Sequence, residues 1–196
     1  MVAKLRQLLF SLVPKYNDTL YMISKRYVDH YNGDNNSNMP DNGELDFIHA
    51  NAASWNIVFD IGANKGDWTG SVLAINPHAQ VHCFEPVDDT FLLLQANQFP
   101  SNVRLNKLAL SASEGTATMY TVGVSGCNSL IDRQWSFDGS NESHQSTTIH
   151  KTTLDLYCAQ NNINKIDMMK MDIEGSEMDV LKGSSEMLTS HQTLNR

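Results

Sequence analysis

Three carboxylates stand at or next to the ends of three short apolar runs: Asp60 in NIVFDI (residues 56–61), Glu85 in QVHCFE (80–85) and Asp172 in KIDMMKMD (165–172). In an open parallel sheet, ligands bind beyond the carboxyl ends of the strands, where the strand order reverses. Acids at three strand tips are therefore expected to line one crevice. The first run continues into the turn IGANKG. Gly62 and Gly66 allow backbone angles and a close approach that a side chain would block, so a ligand can lie against the main chain and the helix N-terminus. Glu85 is placed to accept hydrogen bonds from two ribose hydroxyls. Together these residues predict a nucleoside site.

The glycine spacing narrows the ligand. A dinucleotide fingerprint needs G-x-G-x-x-G to admit a pyrophosphate. Here the turn reads GANKG, with Ala63 or Asn64 where the middle glycine would stand. Asp60 adds negative charge just before the turn. Such a crevice suits a cation better than a diphosphate, and S-adenosyl-L-methionine carries both a sulfonium and an ammonium group.

These residues need a scaffold, and the rest of the chain supplies one. At 196 residues and 41% hydrophobic, the sequence suits one domain with a sizeable core. Strand patterns at 56–61, 80–85, 102–108 and 165–172 alternate with helix patterns at 67–76, 88–98, 152–162 and 176–189, which predicts an α/β fold with a mostly parallel sheet. The alternation in SEGTATMYTVG and a run at 146–151 predict inserted strands of antiparallel type. Residues 123–146 are long, polar and irregular, as a functional or mobile loop would be. Before the domain, residues 15–31 place Tyr16, Leu20, Ile23, Tyr27 and Tyr31 at helical spacing, read as a packing stripe. Residues 32–43 form a polar linker, and 44–53 a further helix. The expected division is a helical extension over 1–50 and the α/β domain over 51–196.

Charge and cysteine usage exclude other classes. A net charge of −8 argues against a general nucleic-acid binder. Cys83, Cys127 and Cys158 are odd in number and lack a CxxC spacing, which speaks against a disulfide framework or a zinc site; no metal is expected, and a reducing, cytoplasmic setting fits. No apolar run approaches the roughly 20 residues that cross a bilayer. The start, MVAKLRQLLFSLVP, reads first as a short amphipathic helix stopped before Pro14. A peripheral membrane contact is its sharper reading.

Read in order, VFDIGANKGDWT (58–69), CFEP (83–86), TTLDLY (152–157) and MMKMDIEGSEMDVLKG (168–183) resemble the FkbM family of S-adenosylmethionine-dependent methyltransferases. A lone GxxxG would be weak; the ordered set at domain-scale spacing over about residues 57–188 is specific. The resemblance implies a Rossmann-like class I methyltransferase fold, a three-layer αβα sandwich. It implies a cofactor loop from Asp60, Gly62, Ala63, Asn64 and Gly66, with Glu85 on the ribose. Asp172 would face the methionine end or the reacting centre. The implied acceptor is a hydroxylated small molecule such as a sugar, methylated on oxygen. GCNSL (126–130) resembles a loop that closes over cofactor or acceptor, or else is a plain connection.

Methyl transfer asks the protein to align acceptor and methyl group and exclude water. An alcohol must also lose its proton, which a positioned base assists. The catalytic candidates are Asp172, Glu174 and Lys170. Lys170 shares a strand face with Asp172 and is expected to pair with it. His144 and His150 are further candidates for the base, each more simply a surface residue. Glu174 and Glu177 lie at a helix start, where the dipole favours acids. Glu177 is expected to cap; Glu174 divides evenly between capping and catalysis. Gly175 supplies a tight turn. Asp88, Asp89, Glu114 and Asp155 read as caps or solvated charges, Trp68 and Trp135 as packing.

A complete class I sheet has seven strands, and the last predicted helix here follows the fourth. The C-terminal strands are expected to be missing. Either the sequence is cut from a longer one, or a short form closes its sheet edge with a homodimer or another partner. Two other functions stay open: a nicotinamide-dependent oxidoreductase on a related fold, and a catalytically inactive module that binds cofactor or partner.

Overall fold

The computed structural model describes residues 17–32, 38–121, 128–129, 145–173 and 175–192. It divides into two compact units, residues 1–47 and 48–196.

The first unit holds helix α1 (Asp18–Asn32) and the start of α2 (Glu44–Asn51). Asn17 Oδ1 accepts the Leu20 N–H at 2.9 Å and so caps α1. The predicted stripe is there, but Leu20, Ile23, Tyr27 and Tyr31 are exposed along it, joined by Tyr21 and Val28.

The second unit is built on β1 (Ile57–Ile61), α3 (Asp67–Ile75), β2 (Gln80–Phe84), α4 (Asp88–Ala96), β3 (Val103–Asn106) and β8 (Met168–Met171). The strands form one sheet in the order β3-β2-β1-β8. All three pairings are parallel. The chain moves outward from β1 to β3 and then returns to the other side of β1, so the order reverses between β1 and β8. That reversal marks the crevice of a Rossmann-like sheet.

Strand alternation sorts the core into two layers. Phe59, Ile61 and Phe84 pack with Leu154, Tyr157 and Cys158 of α5 (Leu154–Asn161) and Val180 of α6 (Glu177–Lys182). On the opposite face Val58, Asp60, Val81 and Cys83 are buried, and Thr69 of α3 touches both Asp60 and Cys83. Helices thus cover both faces, the sandwich predicted above.

A smaller sheet, in the order β4-β7-β5-β6, comprises β4 (Ala109–Leu110), β5 (Gly115–Thr121), β6 (Asn128–Ser129) and β7 (Gln145–Thr152). β5 and β7 are antiparallel, as their alternation predicts. Ala109, Met119 and Ile149 close its inner face with Val87.

Three expectations change. The strand predicted over 102–108 stops at Asn106 as β3 of the main sheet, and the chain beyond it turns away as β4 to pair with β7. The helix predicted over 176–189 breaks into α6 and α7 (Ser185–Gln192). A Cβ on Gly183 would stand 2.1 Å from the Ser111 carbonyl oxygen, so the chain closes against Ser111 here. Asp155 then accepts the N–H groups of Glu186 and Met187 and caps α7 across the fold. Finally, neither Asp88 nor Asp89 caps α4. Val87 holds that position, and the acids lie in the first turn.

Candidate active site

The turn after β1 is fixed by its own backbone. Gly62 and Ala63 both donate to the Phe84 carbonyl at 3.0 Å, and Gly66 donates to that of Ala63 at 2.8 Å. Gly62 has φ +79°, and a Cβ there would lie 2.1 Å from the Asp172 carbonyl oxygen. Gly66 has φ +90° at the start of α3, and its Cβ would meet Leu94 and Phe99 at 2.8–2.9 Å. The close approach expected to serve a ligand is therefore taken by the protein itself. The glycines let the first turn seat against the turn after β8 and against α4. Asn64, at φ +49°, forms the exposed tip.

Glu85 follows β2 and is 6% exposed. Its Oε2 accepts the Asn64 N–H at 3.2 Å and its Oε1 the Val87 N–H at 3.0 Å. The carboxylate thus ties the first turn to the start of α4. Burial pushes its pKa above the ordinary value, and the two backbone bonds hold it back. A carboxylate offers about four lone-pair directions, so acceptor capacity remains for a diol.

Asp60 departs from the expected crevice. It is wholly buried beneath α3, where its Oδ2 accepts the Thr69 hydroxyl at 2.7 Å. Its Oδ1 accepts no hydrogen bond among the described residues. The Lys170 ammonium stands 3.5 Å from that oxygen and 3.8 Å from Asp172 Oδ2. Both distances are long for a hydrogen bond, so these are ion pairs. Lys170 also lies 6.0 Å above the Trp68 ring. Burial drives the Asp60 pKa upward, while Lys170 and then Thr69 oppose it. Asp172, by contrast, has a side chain 67% exposed. Lys170 thus pairs with Asp172 as its strand face predicts, but bridges it to a buried Asp60. The three acids form a graded set, one inside, one at the rim and one in solvent, because strand alternation turned Asp60 under α3.

Glu177 accepts the N–H groups of Ile173 and Gly175 at 3.3 and 3.2 Å, closing the turn before α6 as a capping residue would. Gly175 has φ +103°. Glu174, His144, Trp135, most of GCNSL and the N-terminal helix lie outside the described residues. His150 is exposed on β7.

Sequence reading overlooked Thr69 and a buried polar chain. His82 Nδ1 lies 2.7 Å from the Tyr157 hydroxyl, which donates to Asn106 Oδ1 at 3.1 Å. With the hydroxyl proton used there, Nδ1–H is the donor to tyrosine. Burial, with Arg104 nearby, takes the His82 pKa down to about 4. Cys83 is equally inert, its thiol pushed up to about 12 by burial. The one sequence signal for Thr69 was its place nine residues after Asp60, on the following helix.

The profile of the methyltransferase FkbM domain matches residues 60–194. A 2-O-methyltransferase, NoeI, of Sinorhizobium fredii is 29% identical over 149 residues, covering 68% of this chain and 59% of that protein. A hexuronic acid methyltransferase, AglP, of Haloferax volcanii is 28% identical over 156 residues, covering 76% and 59%. The chain thus spans somewhat over half the length of these relatives. A crystal structure of methyltransferase FkbM from Methylobacillus flagellatus aligns with a TM-score of 0.46 at 18% identity, covering 79% of this chain and 40% of that one. With that profile matching residues 60–194, well over half of the chain, the chain belongs to the FkbM methyltransferase domain family.

Proposed function

We propose that the chain binds S-adenosyl-L-methionine at the reversal between β1 and β8 and directs methyl transfer to a hydroxyl oxygen, that of a sugar or similar metabolite. The carrying observation is Glu85: a nearly buried carboxylate at the tip of β2, held against the Gly62–Gly66 turn, with acceptor capacity left for two hydroxyls. The residues fit the cofactor's charge. The exposed Asp172 carboxylate and the rim carboxylate of Glu85 bring negative charge, and the turn carries no G-x-G-x-x-G for a pyrophosphate. Family membership and relatives named for 2-O-methyl and hexuronic acid methyl transfer support the reaction type.

In this reading Glu85 holds the ribose, while Asn64 and Ala63 border the adenosine. Bound there, the cofactor supplies a methyl group already activated by its sulfonium. The protein's own work is alignment and exclusion of water. Asp172, in solvent next to Lys170, is the candidate to take the acceptor's proton. Lys170 holds that carboxylate in place from the Asp60 side. Residues 51–196 form the methyl-transfer domain, and 1–50 a helical extension.

Calorimetric titration with S-adenosylhomocysteine, using NAD as the control ligand, tests the reading. Micromolar binding of the first alone is expected. Equal binding of both, or of neither by a chain shown folded by circular dichroism, would overturn it.

A further inference from the structure

Helix α1 has an apolar arc that no described residue of its own unit covers. Leu20, Tyr21, Ile23, Tyr27, Val28 and Tyr31 are 39–79% exposed. At 3.6 residues per turn they fall on one side of the helix. Asp18, Lys25, Arg26 and Asp29 fall on the other. Lys25 is one turn from Tyr21 and Val28, and Arg26 one turn from Ile23, so a cation borders each margin of the arc.

Charge selects the occupant. The chain as a whole is strongly acidic at −8, yet residues 1–32 carry Lys4, Arg6, Lys15, Lys25 and Arg26 against only Asp18 and Asp29. A positive segment on a negative protein complements an anionic surface. Three of the six arc residues are tyrosines, whose rings favour a boundary that is apolar on one side and wet on the other. An amphipathic helix with basic margins and an aromatic apolar face has the chemistry of an interfacial helix. No described helix is long and apolar enough to cross a membrane, so the contact lies in the plane of the surface.

We propose that α1 is a peripheral docking surface for an anionic lipid bilayer. The helix lies along the headgroups, its arc inserted at the acyl boundary and Lys25 and Arg26 on lipid phosphates.

Co-sedimentation of the full chain with vesicles tests this, comparing phosphatidylcholine alone with phosphatidylcholine containing phosphatidylserine. The expected result is stronger binding to the anionic vesicles, weakened by salt. Replacing both cations (Lys25→Gln with Arg26→Gln) is expected to weaken that binding about thirtyfold, from roughly 1 kcal/mol per basic residue. Ile23→Ser with Tyr27→Ser is expected to weaken binding to both vesicle types. All four positions are exposed, so circular dichroism of the variants should match the parent. No preference for anionic vesicles would overturn the proposal. So would binding untouched by the α1 variants, which would assign it to another segment. A change of oligomeric state in the Ile23/Tyr27 variant, without loss of vesicle binding, would make the arc a contact between copies and equally overturn it.

Discussion

Thr69→Val is the sharpest probe of how the site is held. Valine keeps the shape of the side chain, at a position that is fully buried, and removes only the hydroxyl. That hydroxyl donates at 2.7 Å to Asp60 Oδ2, while Oδ1 already lacks a hydrogen bond among the described residues. The variant therefore leaves a buried carboxylate with no short hydrogen bond and only the Lys170 ion pair at 3.5 Å. A hydrogen bond to a charged group contributes about 1.5–3 kcal/mol, and a neutral one about 1. The loss in unfolding free energy should be about 2 kcal/mol with Asp60 ionised, falling to about 1 with it protonated. The sign with pH follows from linkage. Burial raises the folded pKa of Asp60 above its unfolded value, so its contribution is most favourable at low pH and declines as pH rises through the folded pKa. Thr69 opposes that rise, so its removal lifts the folded pKa further and deepens the decline. Urea unfolding of parent and variant at pH 5 and pH 8 should show the larger gap at pH 8. In an Asp60→Asn background the gap should shrink and lose its pH dependence. A Thr69→Val loss below about 0.5 kcal/mol at pH 8, or a gap that widens toward acid, would refute this account of Asp60.

Other perturbations test the remaining contacts. Gly62→Ala sets a Cβ 2.1 Å from the Asp172 carbonyl at φ +79°. The backbone strain and forced displacement should cost about 3 kcal/mol or more in unfolding free energy, and a loss under about 1 would show that the two turns are not seated as described. Glu85→Ala should weaken S-adenosylhomocysteine binding more than tenfold, about 1.4 kcal/mol; unchanged affinity removes the ribose role. Asp167 is held at about 2, first by Lys165 and then by the N–H groups of Ile57 and Asn56. A depressed carboxyl stabilises above its unfolded pKa and stops doing so as pH falls through the folded one. The advantage of the parent over Asp167→Asn, on the order of 1 kcal/mol, should therefore fade between pH 4 and pH 2 in acid unfolding curves. Asp172→Asn, at a side chain 67% exposed, should leave the urea midpoint unchanged yet reduce turnover once an acceptor is found; full turnover would remove it as the base.

The residue pattern alone carried the main sheet. Apolar runs of strand length, ended by polar turns and alternating with helix-length segments, have few other ways to bury themselves. The spacing in DIGANKG, FEP and KMDIEGSE was likewise enough to read a site at the strand tips and a family. The capping role of Glu177 was legible because capping is a local interaction between neighbours in the chain. What stayed hidden depends on contacts between distant segments. Nothing local told that the turn after β8 would pack against Gly62, a contact made between segments about 110 residues apart. The bend that sends Ala109–Leu110 to a second sheet is decided by pairing with β7, far along the chain. Asp155 caps a helix that begins thirty residues later. Asp60 was identified by type and position, but whether its carboxylate meets solvent or Thr69 depends on which face of β1 is covered by α3. Residue types and periodicity thus determined which groups sit at the strand tips. Only the tertiary packing decided which of those acids is buried, which is held by backbone N–H groups and which stands in water, because burial and pairing are properties of the neighbours that folding brings together.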